Sequence, residues 1–111
     1  MATKLSTIEY KVDQLVSVPN ISTRKMFGEY AVYCGKKVVA LVCDDTLFVK
    51  ITEKGKEFLG EYYKEGIAYK GAKPSIQINE EVLENREMIS KLILITEEGV
   101  EEVKRKRVAK G

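Results

Sequence analysis

The chain has 111 residues, 44% hydrophobic and 32% charged, with a formal net charge of +2 and no histidine. That length is one domain, burying about 65% of the surface its unfolded chain exposes, in a composition ordinary for a globular protein. No run approaches the ~20 apolar residues a bilayer span needs, and without histidine there is no Ser–His or Cys–His nucleophile pair.

Ser6-Thr7-Ile8-Glu9 has the form of a capping box, with Leu5 and Tyr10 at the positions of a hydrophobic staple. Ile8, Val12, Leu15 and Val16 recur at helical spacing, so a helix is expected over 7–16. Pro19 pushes Val18 toward extended geometry and ends it. A short strand follows over 22–27, with Arg24 and Met26 pointing one way and Lys25 and Phe27 the other. Gly28 is a bulge or a turn position, since only glycine takes such dihedrals freely. Residues 30–34 and 37–43 form a hairpin around Gly35. The second of these is apolar on both faces and reads as a central strand. Asp44-Asp45 marks the next turn, and Leu47, Val49 and Ile51 define one face of a strand over 46–51.

Thr52 caps a second helix over 53–63, with Phe58, Leu59 and Tyr62 as its inner face. Gly55 and Gly60 weaken it by about 1 kcal/mol each relative to alanine, and Gly66 stops it. Strands are expected at 67–69 and 75–78, around a loop at 70–74. Asn79 caps a turn or helix beginning at Glu80. A last helix over 85–96 carries Met88, Ile89, Leu92, Ile93 and Ile95 and ends at Gly99. Strands joined by short turns pair antiparallel. The expected fold is therefore α+β: two layers, an antiparallel sheet of about five to six strands with helices on one face, in the order α-β(4)-α-β(2)-α.

Cys34 and Cys43 sit at opposite ends of the hairpin, about 20 Å apart at ~3.3 Å per residue. A disulfide needs Cα atoms within about 7 Å. Both read as small apolar fillers, and their spacing matches no zinc pattern. The N-terminus lacks the apolar core of a signal peptide, so a cytoplasmic location is expected. The charge divides unevenly. Residues 99–111 carry a net +3 and residues 1–98 a net −1, so the chain reads as a near-neutral domain over 1–98 followed by a basic tail.

No phosphate-binding loop or dinucleotide fingerprint is present. Asp44-Asp45 reads as a solvated turn and Glu80-Glu81 as first-turn helix charge. No catalytic residue, metal site or cofactor is expected. Tyr30, Tyr33, Tyr62, Tyr63 and Tyr69 form either packing seams or an exposed binding surface, since tyrosine has an apolar body and a polar end. Arg24 either pairs with a carboxylate inside the fold or binds an external anion, with Lys25, Lys50 and Lys73 as companions in a basic patch. In the tail, Lys104, Arg105, Lys106 and Arg107 are the better nucleic-acid candidates; the alternative is a solvated terminus.

The run Arg24-Lys25-Met26-Phe27-Gly28 ahead of a strand, with Tyr33 in that strand, resembles the N-terminal domain of the TfoX/Sxy family of bacterial competence regulators. That family's signature is an Arg-x-Met-Phe-Gly run before a strand. Agreement continues through Val39-Ala40-Leu41-Val42-Cys43-Asp44-Asp45, Leu47-Phe48-Val49-Lys50 and Lys73-Pro74, and the likeness covers most of residues 6–98. The resemblance implies an α+β domain with no catalytic residues to carry over. Full-length members add a C-terminal helical domain, for which residues 99–111 are too short, and act at promoters with the cyclic-AMP receptor protein. The function expected is a non-enzymatic regulatory or adaptor domain, acting in transcription regulation through protein contacts. The alternative is a direct nucleic-acid-binding module using the tail and the basic patch; a third reading is an anion pocket at Arg24. A protein partner is expected, with weak nucleic-acid contact through the tail and no membrane contact, and homodimerisation through a sheet edge stays open.

Overall fold

Apolar residues on both faces place residues 37–43 inside a sheet, and the rest of the architecture builds outward from that strand. The computed structural model describes residues 5–15, 17–26 and 29–100. Along the chain run α1 (Leu5–Asp13), β1 (Ile21–Met26), β2 (Glu29–Cys34), β3 (Lys37–Cys43), β4 (Thr46–Val49), α2 (Glu53–Leu59), a 3₁₀ turn (Gly60–Tyr62), β5 (Glu65–Ile67), β6 (Pro74–Gln77), α3 (Glu80–Glu84) and α4 (Arg86–Gly99). The six strands form one antiparallel sheet in the order β1-β2-β3-β4-β6-β5. The α+β class and the element order agree with the sequence expectation.

Register decides what each strand offers to each side. Val32 lies opposite Ala40, and Tyr33 opposite Val38, so Val39 is an extra residue in β3. This bulge lets Val39 and Ala40 both enter the core, where each is fully buried. Tyr30, Val32, Cys34, Val42, Leu47, Val49 and Ile76 share that helix-facing side. Helix α4 lies across β3, with α2 and α3 packed on it, and its Ile89, Leu92 and Ile93 are fully buried. The other side of the sheet carries Arg24, Ala31, Tyr33, Leu41 and Phe48.

Caps follow the expected chemistry. The Thr52 hydroxyl accepts from the Gly55 amide at 3.0 Å, and the Asn79 side chain accepts from the Val82 amide at 2.9 Å. Asn85 does the same for α4 through the Met88 amide at 3.0 Å. Both residues of the Asp44-Asp45 turn have positive φ, 50° and 62°, the backbone twist that joins β3 to β4 tightly.

Several boundaries differ by a few residues, and at three of them a named residue changes its part. Helix α1 begins at Leu5, so Ser6 lies inside the helix rather than capping it. Tyr10, expected in the staple, is 45% exposed. Helix α2 ends at Leu59 because Gly60 takes φ 55°; Gly66, expected as the stop, lies in β5 opposite Ser75. The strand expected at 67–69 is Glu65–Ile67, because pairing of Glu65 with Ile76 keeps the Ile76 side chain in the core. Phe27 and Gly28 of the motif, Val16 and residues 101–111 of the tail lie outside the described residues.

Candidate functional site

The motif strand β1 is an edge of the sheet, so its two faces meet different surroundings. Arg24 is exposed on the helix-free side, opposite Ala31. Its guanidinium stands 6.0 Å from the centroid of the Tyr33 ring. Arg24 is in neither of the ion pairs Lys37–Glu97, at 3.2 Å, and Arg86–Asp13, at 2.7 Å. Arg24 therefore stacks on an aromatic ring rather than joining the internal ion pair that its neighbours suggested. An exposed cation–π contact of this kind contributes about 0.5–1 kcal/mol. Lys25 faces the helix side, opposite Tyr30.

The remaining predicted cations do not converge on Arg24. Lys50 follows β4, three strand spacings or about 14 Å across the sheet. Lys73 precedes β6, one strand further still. Met26 ends β1 opposite Glu29, while Phe27, Gly28, Lys104, Arg105, Lys106 and Arg107 lie outside the described residues.

The tyrosines also separate. Tyr30 and Tyr33 are on β2, on opposite faces. Tyr62 and Tyr63 lie beside the far edge, where the Tyr62 hydroxyl donates to Glu81 at 3.3 Å and the Tyr63 hydroxyl to Glu65 at 2.6 Å. The hydrogen bond to Glu65 holds the Tyr63 phenol up to about 12, while the charge of Glu81 raises that of Tyr62. Tyr69 is 58% exposed in the turn before β6.

Both cysteines are free and buried. Burial pushes each thiol up, helped by Glu97 at Cys34 and by Glu29 at Cys43. They act as apolar filler. Lys11 is the one buried lysine among the described residues, 7% exposed on α1. Burial pulls its ammonium down, and the nearby Glu80 and Asp45 oppose that pull only in part. Among the described residues no group of three histidine, cysteine, aspartate or glutamate side chains is placed to hold a metal ion, and no helix is long and apolar enough to cross a membrane.

Among the described residues there is also a concave surface that the sequence reading did not single out. It is a groove of about 720 Å³ between α1 and the helix-facing side of β1 and β2. Ile8, Val12 and Leu15 form one wall, and Ile21 and Tyr30 form the other, with Glu9 and Asp13 on the α1 rim. Helix α1 is held away from β1 by its partners on the opposite side. The Gln14 side chain donates to the Leu83 carbonyl at 2.8 Å and accepts from Arg86 Nε at 3.0 Å. The Ser17 hydroxyl donates to that of Ser90 at 3.1 Å. The available signal was the width of the α1 stripe, in which Val12 lies beside the line of buried Ile8 and Leu15 and stays half-exposed.

Residues 13–98 match the TfoX N-terminal domain family. The chain is also similar to a Spirochaeta aurantia protein described as "Uncharacterized 12.7 kDa protein in trpE 5'region", with 35% identity over 96 residues, 86% of this chain and 82% of that protein. The match spans every strand, α2, α3 and almost all of α4, and this chain belongs to the TfoX N-terminal domain family.

Proposed function

We propose that this protein is a non-enzymatic, competence-regulator-like domain that acts in the cytoplasm as a regulator or adaptor of transcription through protein contacts. The observation that carries the reading is the sign of the charge at the groove. The groove is mainly apolar, and the charged residues that line it are Glu9 and Asp13, the latter paired with Arg86. Such a surface repels phosphate and suits a protein segment. Phosphate contacts dominate nucleic-acid affinity, and Arg24, Lys50 and Lys73 lie on different strands of the sheet rather than together.

A second reading, direct nucleic-acid binding, draws on Arg24 stacked over Tyr33 on the helix-free side. One titration separates them. Anisotropy of labelled duplex and single-stranded DNA is followed at several salt concentrations, with the parent chain and with Lys104, Arg105, Lys106 and Arg107 all changed to glutamine. The regulatory reading expects weak, salt-steep binding by the parent and its loss in the variant, with the log–log salt slope falling in magnitude by up to about 3.6, at ~0.9 per phosphate contact. Tight binding by the variant favours the nucleic-acid reading instead.

A further inference from the structure

Among the described residues, the helix layer stops short of the β1 edge of the sheet. Helix α4 covers β3, α2 and α3 pack on α4, and α1 is tied toward α3 and α4 through Gln14, Asp13 and Ser17. Ile21, Thr23 and Lys25 project from β1 on the helix side, as their pairing with Cys34, Val32 and Tyr30 requires. Thr23 and Lys25 remain exposed and Ile21 half-buried. The groove is the space that one more helix in this layer would occupy, about 8–10 Å from the α1 axis.

Its chemistry specifies that occupant. The groove runs along the chain from Ile8 to Leu15, about 10 Å at ~1.5 Å per residue, long enough for two turns of a docked helix; its accessible apolar side chains are Val12, Ile21 and Tyr30, over the buried Ile8 and Leu15. Glu9 and Asp13 stand one turn apart on the rim. Asp13 is bound by Arg86 at 2.7 Å, whereas Glu9 is exposed and in no ion pair among the described residues. Addition of a strand to the outer edge of β1 fits less well, because Arg24 and Lys25 charge that edge and charged edges discourage pairing.

We propose that the groove between α1 and β1 receives an amphipathic helix of a partner protein, with an apolar stripe in the groove and a lysine or arginine beside it meeting Glu9. This rests on the protein-contact reading above and names the partner's chemistry. Recognition of this kind places apolar anchors at i, i+3, i+4 and i+7.

The test pans a display library of helical peptides of about 15 residues, a length that sustains a helix, against the full chain. Enriched peptides are expected to share the apolar stripe and flanking cations. Glu9→Lys and Thr23→Arg, both at exposed positions, are each expected to weaken them about fivefold, while Leu94→Glu, outside the groove lining, leaves binding unchanged. Amide shifts on binding are expected at Glu9, Val12, Thr23 and Tyr30. Failure to enrich, enrichment of acidic peptides, or indifference to both groove variants overturns the inference. Retention of tight DNA binding by the tail-neutralised chain is a separate result: it defeats the regulatory reading whatever the peptides do. Peptide failure alone leaves that reading standing and removes only the groove.

Discussion

The two flanks of the sheet are filled to different degrees. Around β3 and α4, Val39, Ala40, Val42, Ile89, Leu92 and Ile93 are all fully buried. Around α1 and β1, Val12, Ile21 and Tyr30 pack against the same core yet remain half-buried. The contrast follows from where apolar faces meet. Strand β3 is apolar on both sides and α4 brings a wide stripe, so burial there is complete. Strand β1 offers Ile21, Thr23 and Lys25, and α1 is drawn toward α3 by polar contacts. The first flank is packed throughout, and the second keeps half-buried apolar side chains beside the buried Ile8, Leu15 and Val18, the surface on which the proposed helix would dock.

Substitutions can break that contrast, beginning with the largest expected effect. Leu92→Ala should destabilise by about 2–5 kcal/mol, while Val12→Ala in the groove should lose less than about 1 kcal/mol. Urea denaturation reads both, and equal losses would mean the flanks are packed alike. Gln14→Leu removes the donor to the Leu83 carbonyl and the acceptor of Arg86 Nε. Leaving that carbonyl unpaired should cost about 1–3 kcal/mol, again by denaturation.

Gly55→Ala should destabilise by about 1 kcal/mol net. A Cβ there would stand 2.8 Å from Thr52 Oγ1 and 3.2 Å from Leu92 Cδ1. Overpacking of about 1–3 kcal/mol outweighs the gain of up to about 1 kcal/mol in helix propensity. A raised melting temperature would show that Thr52 and Leu92 yield easily.

Lys11→Met should raise the melting temperature at neutral pH. The lysine is protonated less readily when folded than when unfolded, so its charged form opposes folding at low and neutral pH. That opposition is relieved as pH rises through the lowered folded value toward the unfolded value of 10.5. The difference between variant and parent should therefore narrow over that range, and a constant difference would rule this cause out. The smallest effect concerns Tyr63. Its phenol should ionise near 12, and return toward 10 in Glu65→Gln, followed by ultraviolet titration. The hydrogen bond to Glu65 favours the neutral phenol, so its stabilising contribution is present below about 10 and lost as pH rises through about 12.

What was legible in the sequence is what local pattern determines. Strand β3 was read with its observed ends because its apolar run is bounded by Gly35 and Asp44. Thr52 and Asn79 were read as caps because a side-chain oxygen ahead of a helix has one use there. Arg24, Met26, Phe27, Gly28 and Tyr33 pointed to the family that residues 13–98 match. The remaining features depend on contacts distant in sequence. The position of β5 follows from its pairing with Ile76, and the groove from Gln14 reaching Leu83, 69 residues away. The separation of the tyrosines follows from strand order. Arg24 was read as pairing with a carboxylate or binding an anion, whereas its described contact is a ring on the neighbouring strand, which only the β1–β2 register reveals.

The most direct measurement is an amide-shift map of the full chain titrated in parallel with a lysine-flanked amphipathic helical peptide and with duplex DNA. The account predicts that the peptide moves Glu9, Val12, Thr23 and Tyr30 together while DNA leaves those amides in place. DNA shifting Arg24, Lys25, Lys50 and Lys73 as one set, with the peptide moving none of the groove residues, would contradict it.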